Sequence, residues 1–177
     1  MTDQTRDDRG PWRKALVTVP LIVIAGSLIG ILTNGGETNA WYAPLIKPSF
    51  QPPGWMFGAV WTALYTMMGI ALAAILNEPP SKQRNVALGL FATQLALNFA
   101  WSPIFFAGGM IDVGLLVILA MNVLVTMTII AFWKIRPLAG ALLIPYLAWL
   151  CVATALNYET GRLNPGADKA PLGMKGA

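Results

Sequence analysis

Histidine is absent from all 177 residues of this chain, and cysteine occurs once, at Cys151. The first absence removes the commonest haem and metal ligand and the usual general base at neutral pH. The second excludes an intrachain disulfide and leaves no cysteine cluster for zinc; Cys151 itself is read as a small packing residue. Charge is scarce as well. Only 11% of the residues are Asp, Glu, Lys or Arg, against roughly 25% in ordinary soluble domains. No glycine-rich phosphate loop occurs, and no apolar run holds a carboxylate pair. Proton or ion coupling needs an ionisable group within the membrane, and only Asp112 and Glu159, at the edges of apolar runs, are candidates. Acid–base catalysis, metal catalysis and secondary active transport are therefore disfavoured. No metal site and no required cofactor is expected.

What the chain does have is apolar surface. Hydrophobic residues make up 56% of it, and five runs, at 15–32, 54–76, 86–106, 111–133 and 138–158, are long enough to cross a hydrocarbon core of about 30 Å. They are too long for barrel strands and show no strict alternation. The expected fold is all-α, an integral membrane bundle of five transmembrane helices with a structured first loop. The first run exceeds a signal-peptide core and lacks an A-x-A-like cleavage site, so it counts as a span. Pro20, Pro103 and Pro145 are tolerable where neighbouring helices satisfy the freed carbonyls. Flanking the membrane domain of 15–162, residues 1–14 read as a flexible arm and 163–177 as a disordered tail.

The net charge of +4 sits at span ends, so the bilayer, and not nucleic acid, is the expected partner. Arg6, Arg9, Arg13, Lys14, Lys82, Arg84, Lys134 and Arg136 fall on one side of a five-span bundle. Lys47, Arg162, Lys169 and Lys175 fall on the other. The positive-inside rule then puts the N-terminus in the cytoplasm. The short polar arm without a mitochondrial-type presequence fits a bacterial cell membrane.

The most telling stretch is 41–65, WYAPLIKPSFQPPGWMFGAVWTALY. Lys47, Pro48, Pro52 and Pro53 make a stiff loop that runs straight into a helix bearing Trp55, Phe57, Trp61 and Tyr65. Trp12, Trp55 and Trp133 stand at span ends, where aromatic belts form, with a lining role open for Trp55. Three other tryptophans lie deeper. At 1.5 Å per residue, Trp61 is roughly 10 Å from the start of its span, and Trp101 and Trp149 are about 8 and 14 Å from the ends of theirs. All three fall in the half of the bilayer below loop one, the connection at about 33–53. Gln94, Asn98, Trp101 and Phe105 share one face of the third span, and polar groups in hydrocarbon turn inward. Two readings stand: an aromatic packing core, or a cavity for a flat apolar ligand with a few polar anchors. Asn122 and Asn157 are expected to hydrogen-bond between helices. Ala92, Ala96 and Ala100 form a small-residue stripe that suits a dimer seam or internal packing equally, as do Gly26 and Gly30.

These residues resemble the TspO/MBR family, the tryptophan-rich sensory proteins related to the mitochondrial translocator protein. The stretch 41–65 is similar to the family's W-Y…K-P-x-[WF]-x-P-P-x-W-x-F…W-x-x-L-Y signature. QLALNFAWSPIFF and PYLAWLCVATALNYETGRLN are similar to its third- and fifth-span motifs. The resemblance implies a five-helix bundle, commonly a homodimer, whose cavity is closed by the first loop. It implies a receptor or sensor for porphyrins such as protoporphyrin IX, with sterol-like or benzodiazepine-type ligands in some members. The implied ligand-binding set is Trp41, Trp55, Phe57, Trp61, Asn98, Trp101, Trp149, Ala153 and Leu156. If porphyrin is degraded with light and oxygen, as proposed for some members, the implied pair is Trp61 and Trp149. A sterol-type pattern falls on Leu156, Tyr158 and Arg162. A third reading is a partner-recruiting adaptor that acts through the tail or the alanine stripe. The chain departs from the family in FFAGGMI, which lacks the basic residue that often follows F-F-G, and in Phe50 and Val113, where relatives carry tryptophan.

Overall fold

A computed structural model describes residues 12–170 and Leu172. All of the arm before Trp12 lies outside the described residues. Trp12, Arg13 and Lys14 already belong to the first helix. The helices are α1 (Trp12–Leu32), α2 (Gly54–Leu76), α3 (Lys82–Ser102), α4 (Ile111–Ile135), α5 (Pro137–Ala141) and α6 (Ile144–Leu163). Five of the described helical stretches are long and apolar enough to cross a membrane, Pro137–Leu163 counting as one. The expected five-span bundle is what forms.

Proline decides where the spans deviate from simple rods. Pro103 opens a π-helical turn, Pro103–Ala107, that prolongs α3 and re-aims Phe105 and Phe106 beneath loop one. The fifth span, expected as one run, breaks at Leu142 and Leu143. Pro145 then falls in the first turn of α6, where a missing N–H costs nothing because that donor has no intrahelical partner.

Side chains close the loop at the basic end. Ser81 caps α3 by accepting from the Arg84 N–H at 3.1 Å. Lys14 Nζ donates to Leu76 O at 2.6 Å, and Arg84 donates to Ile75 O and Leu76 O at 3.2 Å each. Cations thus satisfy the last carbonyls of α2, where the helix dipole is negative.

Small residues set the helix spacing. At Gly69 a Cβ would stand 2.6 Å from the Cα of Val19, so α1 and α2 touch backbone to backbone. Thr18 Oγ1 donates to Gly69 O across the seam at 2.7 Å. Gly26, left between two readings by sequence, faces the Tyr65 ring, 2.2 Å from a notional Cβ. That contact is internal packing. Short connections, 108–110 before α4 and Arg136 alone after it, pack α3 against α4 and α4 against α5 and α6. Phe91 and Phe132 stack at 5.6 Å in the core between them.

Two expectations need correction. Cys151 is exposed, with its Sγ 3.7 Å from Asn122 Oδ1, rather than packed inside. The chain after 163 is not disordered throughout: residues 164–170 dock on the body through directed hydrogen bonds. Asn164 Oδ1 accepts from Ile46 N at 2.8 Å, and its Nδ2 donates to Ile46 O at 2.9 Å. Asp168 accepts from Asp112 N at 2.7 Å, which satisfies an orphan donor in the first turn of α4. Lys169 N donates to Gly109 O at 3.0 Å. Gly, Pro and Lys content suggested disorder because composition does not register such single polar anchors.

Candidate functional site

A cavity of about 770 Å³ lies beneath loop one, bounded by α1, α2, α3 and α6 and floored by Ile118 and Met121 of α4. Trp55, Phe57, Trp61, Asn98, Trp101, Trp149, Ala153 and Leu156 all line it. The helices supply these side chains in one-turn steps, so a face that is aromatic in sequence becomes an aromatic wall in space. Phe57 of α2 meets Trp149 of α6 edge-on at 5.7 Å. Trp61 leans on Tyr65 at 5.2 Å and on Tyr146 at 6.2 Å. Trp101 stacks on Phe105 at 4.8 Å, with the planes 14° apart. Trp55 is 72% exposed, so it stands at the rim of the cavity.

Trp41 is not among the lining residues. Its ring sits edge-on to Phe105 at 5.5 Å, and its Nε1 donates to Ala167 O at 3.1 Å. It ties loop one to the C-terminal segment. The sterol-type residues are not brought together either. Leu156 is buried against the cavity, Tyr158 is half-exposed on another face, and Arg162 pairs with Glu159 at 2.6 Å.

Asn98 is engaged on both ends of its amide. Tyr65 OH donates to its Oδ1 at 2.9 Å, and its Nδ2 donates to Tyr146 OH at 2.9 Å. Tyr146 OH in turn lies 3.7 Å from Met121 Sδ as donor. The chain joins α2, α3, α6 and α4 in the buried interior and props the rings behind Trp61. Asn122 donates to Thr154 Oγ1 at 3.0 Å and Asn157 to Ile111 O at 2.9 Å, helix-to-helix bonds as expected. Deeper in the wall, Trp101 Nε1 and Asn157 Oδ1 are buried without hydrogen-bond partners among the described residues. They lie 3.4 and 3.1 Å from where a Cβ on Gly114 would stand, so glycine leaves room for both.

Loop one forms the roof through its own polar bonds. Asn39 Oδ1 accepts from Trp41 N and Tyr42 N at 3.0 and 2.9 Å, and Asn39 Nδ2 donates to Phe106 O at 3.2 Å. Lys47 Nζ donates to Tyr42 O and, at 2.8 Å, to Leu45 O, while sitting 3.9 Å over the Tyr42 ring. Burial pulls the Lys47 ammonium below its ordinary range, and the charge of Glu37 partly offsets this. Burial likewise pushes the Tyr42 phenol up. The phenol therefore stays protonated and donates to Gln51 Oε1 at 2.8 Å.

Sequence reasoning missed Glu37, Tyr42 and Gln51, three loop residues that also line the cavity. Among the described residues that line the cavity, Glu37 is the one charged side chain, and none is Lys or Arg. A loop gives no periodicity from which its inward side could be read. Among the described residues no cluster of three His, Cys, Asp or Glu side chains is placed to hold a metal ion.

The sequence profile of the TspO/MBR family matches residues 17–163, which takes in most of the first span, loop one and the other four spans. The chain belongs to the TspO/MBR family. It is 40% identical to the translocator protein of Homo sapiens over 158 residues, covering 88% of this chain and 93% of that one. It is 42% identical over 156 residues to the tryptophan-rich protein TspO of Chlorobaculum tepidum, with 86% and 99% covered. Protein CrtK of Rhodobacter capsulatus is 39% identical over 149 residues, with 84% and 91% covered. This TspO/MBR chain is thus an integral, multi-pass membrane protein, and its relatives match it along nearly their full length.

Proposed function

We propose that this membrane protein is a receptor that takes up porphyrins of the protoporphyrin type beneath loop one, for sensing, carriage or removal. The observation that carries the reading is the wall itself: Phe57, Trp61, Trp101 and Trp149 help enclose about 770 Å³, with no lysine or arginine among the described lining residues. That volume lies within the roughly 300–1,000 Å³ of small-molecule sites, and aromatic faces favour offset stacking against a flat π-system. A porphyrin without iron needs no axial ligand, so the chemistry present suits it. With Glu37 the only charge on the described lining, the propionates of such a ligand are expected to point out toward solvent. The names carried by relatives, translocator protein and tryptophan-rich protein, support a receptor or sensor role in the membrane. The proposal also has the protein as a homodimer, since Ala92 and Ala96 stand exposed on α3 with Ala100 half-buried beyond them.

Adding protoporphyrin IX to the purified protein is expected to quench tryptophan fluorescence saturably. Trp61→Phe combined with Trp149→Phe should weaken the apparent affinity about tenfold, since a lost stacking partner is worth roughly 0.5–1.5 kcal/mol. Absence of saturable quenching in the native chain would sink the proposal. Loss of the Soret band in light and oxygen, abolished in the double variant, would assign a degrading enzyme instead.

The docked C-terminal segment bears on release. Asn164→Ala removes both bonds to Ile46 and should loosen the roof, raising the ligand dissociation rate several-fold with little change in association. Stopped-flow displacement measures this, and an unchanged dissociation rate would mean that the segment does not hold the roof shut.

A further inference from the structure

At the end of the bundle opposite loop one, the start of α3 and the end of α4 lie side by side. A groove of about 440 Å³ runs between them. Val86, Leu90, Met127 and Ile130 wall it, and Lys82 and Lys134 stand at its outer end. Val86 and Leu90 lie one and two helical turns inward from Lys82, roughly 6 and 12 Å along α3. The groove therefore begins at the membrane surface and continues into the hydrocarbon layer.

Three neighbouring cations at this end are committed elsewhere. Lys14 and Arg84 are bound to the terminal carbonyls of α2, and Arg136 pairs with Glu78 at 3.2 Å. Lys82 and Lys134 have neither an ion pair nor a side-chain hydrogen bond among the described residues. Both are exposed. Two uncommitted ammonium groups above an apolar trough call for an amphiphile with an anionic head. A free anion would leave the trough unused, and a neutral sterol would leave the lysines unused. A second copy of the chain, docked symmetrically, would bring a second pair of lysines against the first.

We propose that this groove is a binding site for an anionic phospholipid, with its phosphate between Lys82 and Lys134 and one acyl chain along Val86, Leu90, Met127 and Ile130. Each lysine lays its methylene stem over apolar surface and keeps its charge at the headgroup level. Attraction of this kind is worth roughly 1 kcal/mol per lysine near an anionic surface, so two amount to about thirtyfold in affinity. The site is separate from the cavity beneath loop one and does not depend on what that cavity binds.

Native mass spectrometry of the full chain in detergent, titrated with dioleoyl phosphatidylglycerol or dioleoyl phosphatidylcholine, tests the proposal. The native chain should retain phosphatidylglycerol at least about tenfold more tightly, with the preference falling as salt rises. Lys82→Gln with Lys134→Gln should bring the ratio near one. These lysines are exposed and unpaired, so folding is not at stake, and an unshifted thermal midpoint will check that. Leu90→Trp, which fills the trough, should weaken both lipids together. Equal retention of the two lipids by the native chain would overturn the proposal, as would a preference that survives the double lysine variant. Efficient competition by inorganic phosphate would make the groove a plain anion site. Lipid bound to monomers but excluded from dimers would give the groove to a second copy.

Discussion

Gly69→Val is expected to destabilise the bundle by about 3 kcal/mol, which corresponds to a thermal midpoint lower by ~10 °C in a chain of this size. The cause is geometric. A Cβ at position 69 would stand 2.6 Å from Val19 Cα and 2.9 Å from Val19 N, which are backbone atoms of α1. No rotamer change can relieve that clash, so α1 must move away, and the bond from Thr18 Oγ1 to Gly69 O is lost with it. Only 11% of the α1 span window is buried, so α1 has little other packing to hold it in place. Since Ile29 and Gly30 of α1 line the cavity, ligand affinity should fall alongside stability. Gly89→Ala is the control: nothing lies within 4 Å of its notional Cβ, and alanine is the better helix former. Equal losses in the two variants would refute the close-approach account.

Asn98→Leu is expected to cost about 2–4 kcal/mol and to weaken porphyrin binding, even though leucine nearly preserves the volume. Two hydrogen bonds of 2.9 Å disappear from the interior, each worth roughly 0.6–2 kcal/mol between membrane helices. The Tyr65 hydroxyl is left buried without its acceptor, a further penalty for an unsatisfied polar group. Because Trp61 rests on the Tyr65 and Tyr146 rings, its plane should tilt once those rings are released. Tyr65→Phe with Tyr146→Phe strands the Asn98 amide instead, whereas adding both to Asn98→Leu removes every partner at once and should be milder than Asn98→Leu alone. Thermal melts and fluorescence titration of the three variants, read as a double-mutant cycle, separate packing from hydrogen bonding. Additive losses would mean that the Tyr65–Asn98–Tyr146 chain does not act as a unit.

Much of this was legible in the chain because a membrane simplifies the code. A span in hydrocarbon must satisfy its backbone internally, so apolar length alone announces a helix, and α2 begins and ends where its apolar run does. The inward face of α3 was legible from Gln94 and Asn98 for a related reason: a polar side chain has nowhere else to go, and both are buried. Depth counting brought Trp61, Trp101 and Trp149 to one level, and they line one cavity. Trp41 went astray because a tryptophan in a signature-bearing loop resembles a lining residue. Only the docked position of Ala167, 126 residues away, turns it into a fastener.

The sequence by itself determined a histidine-free, five-span bundle with an aromatic half beneath a stiff loop, since hydrocarbon length and polar cost act on each helix separately. Tertiary structure alone decided which small residue separates helices, which asparagine is already satisfied and what holds the roof. It also brought the two unpaired lysines, 52 positions apart, to one groove. Those features depend on distances between helices, and distances between helices depend on every contact at once.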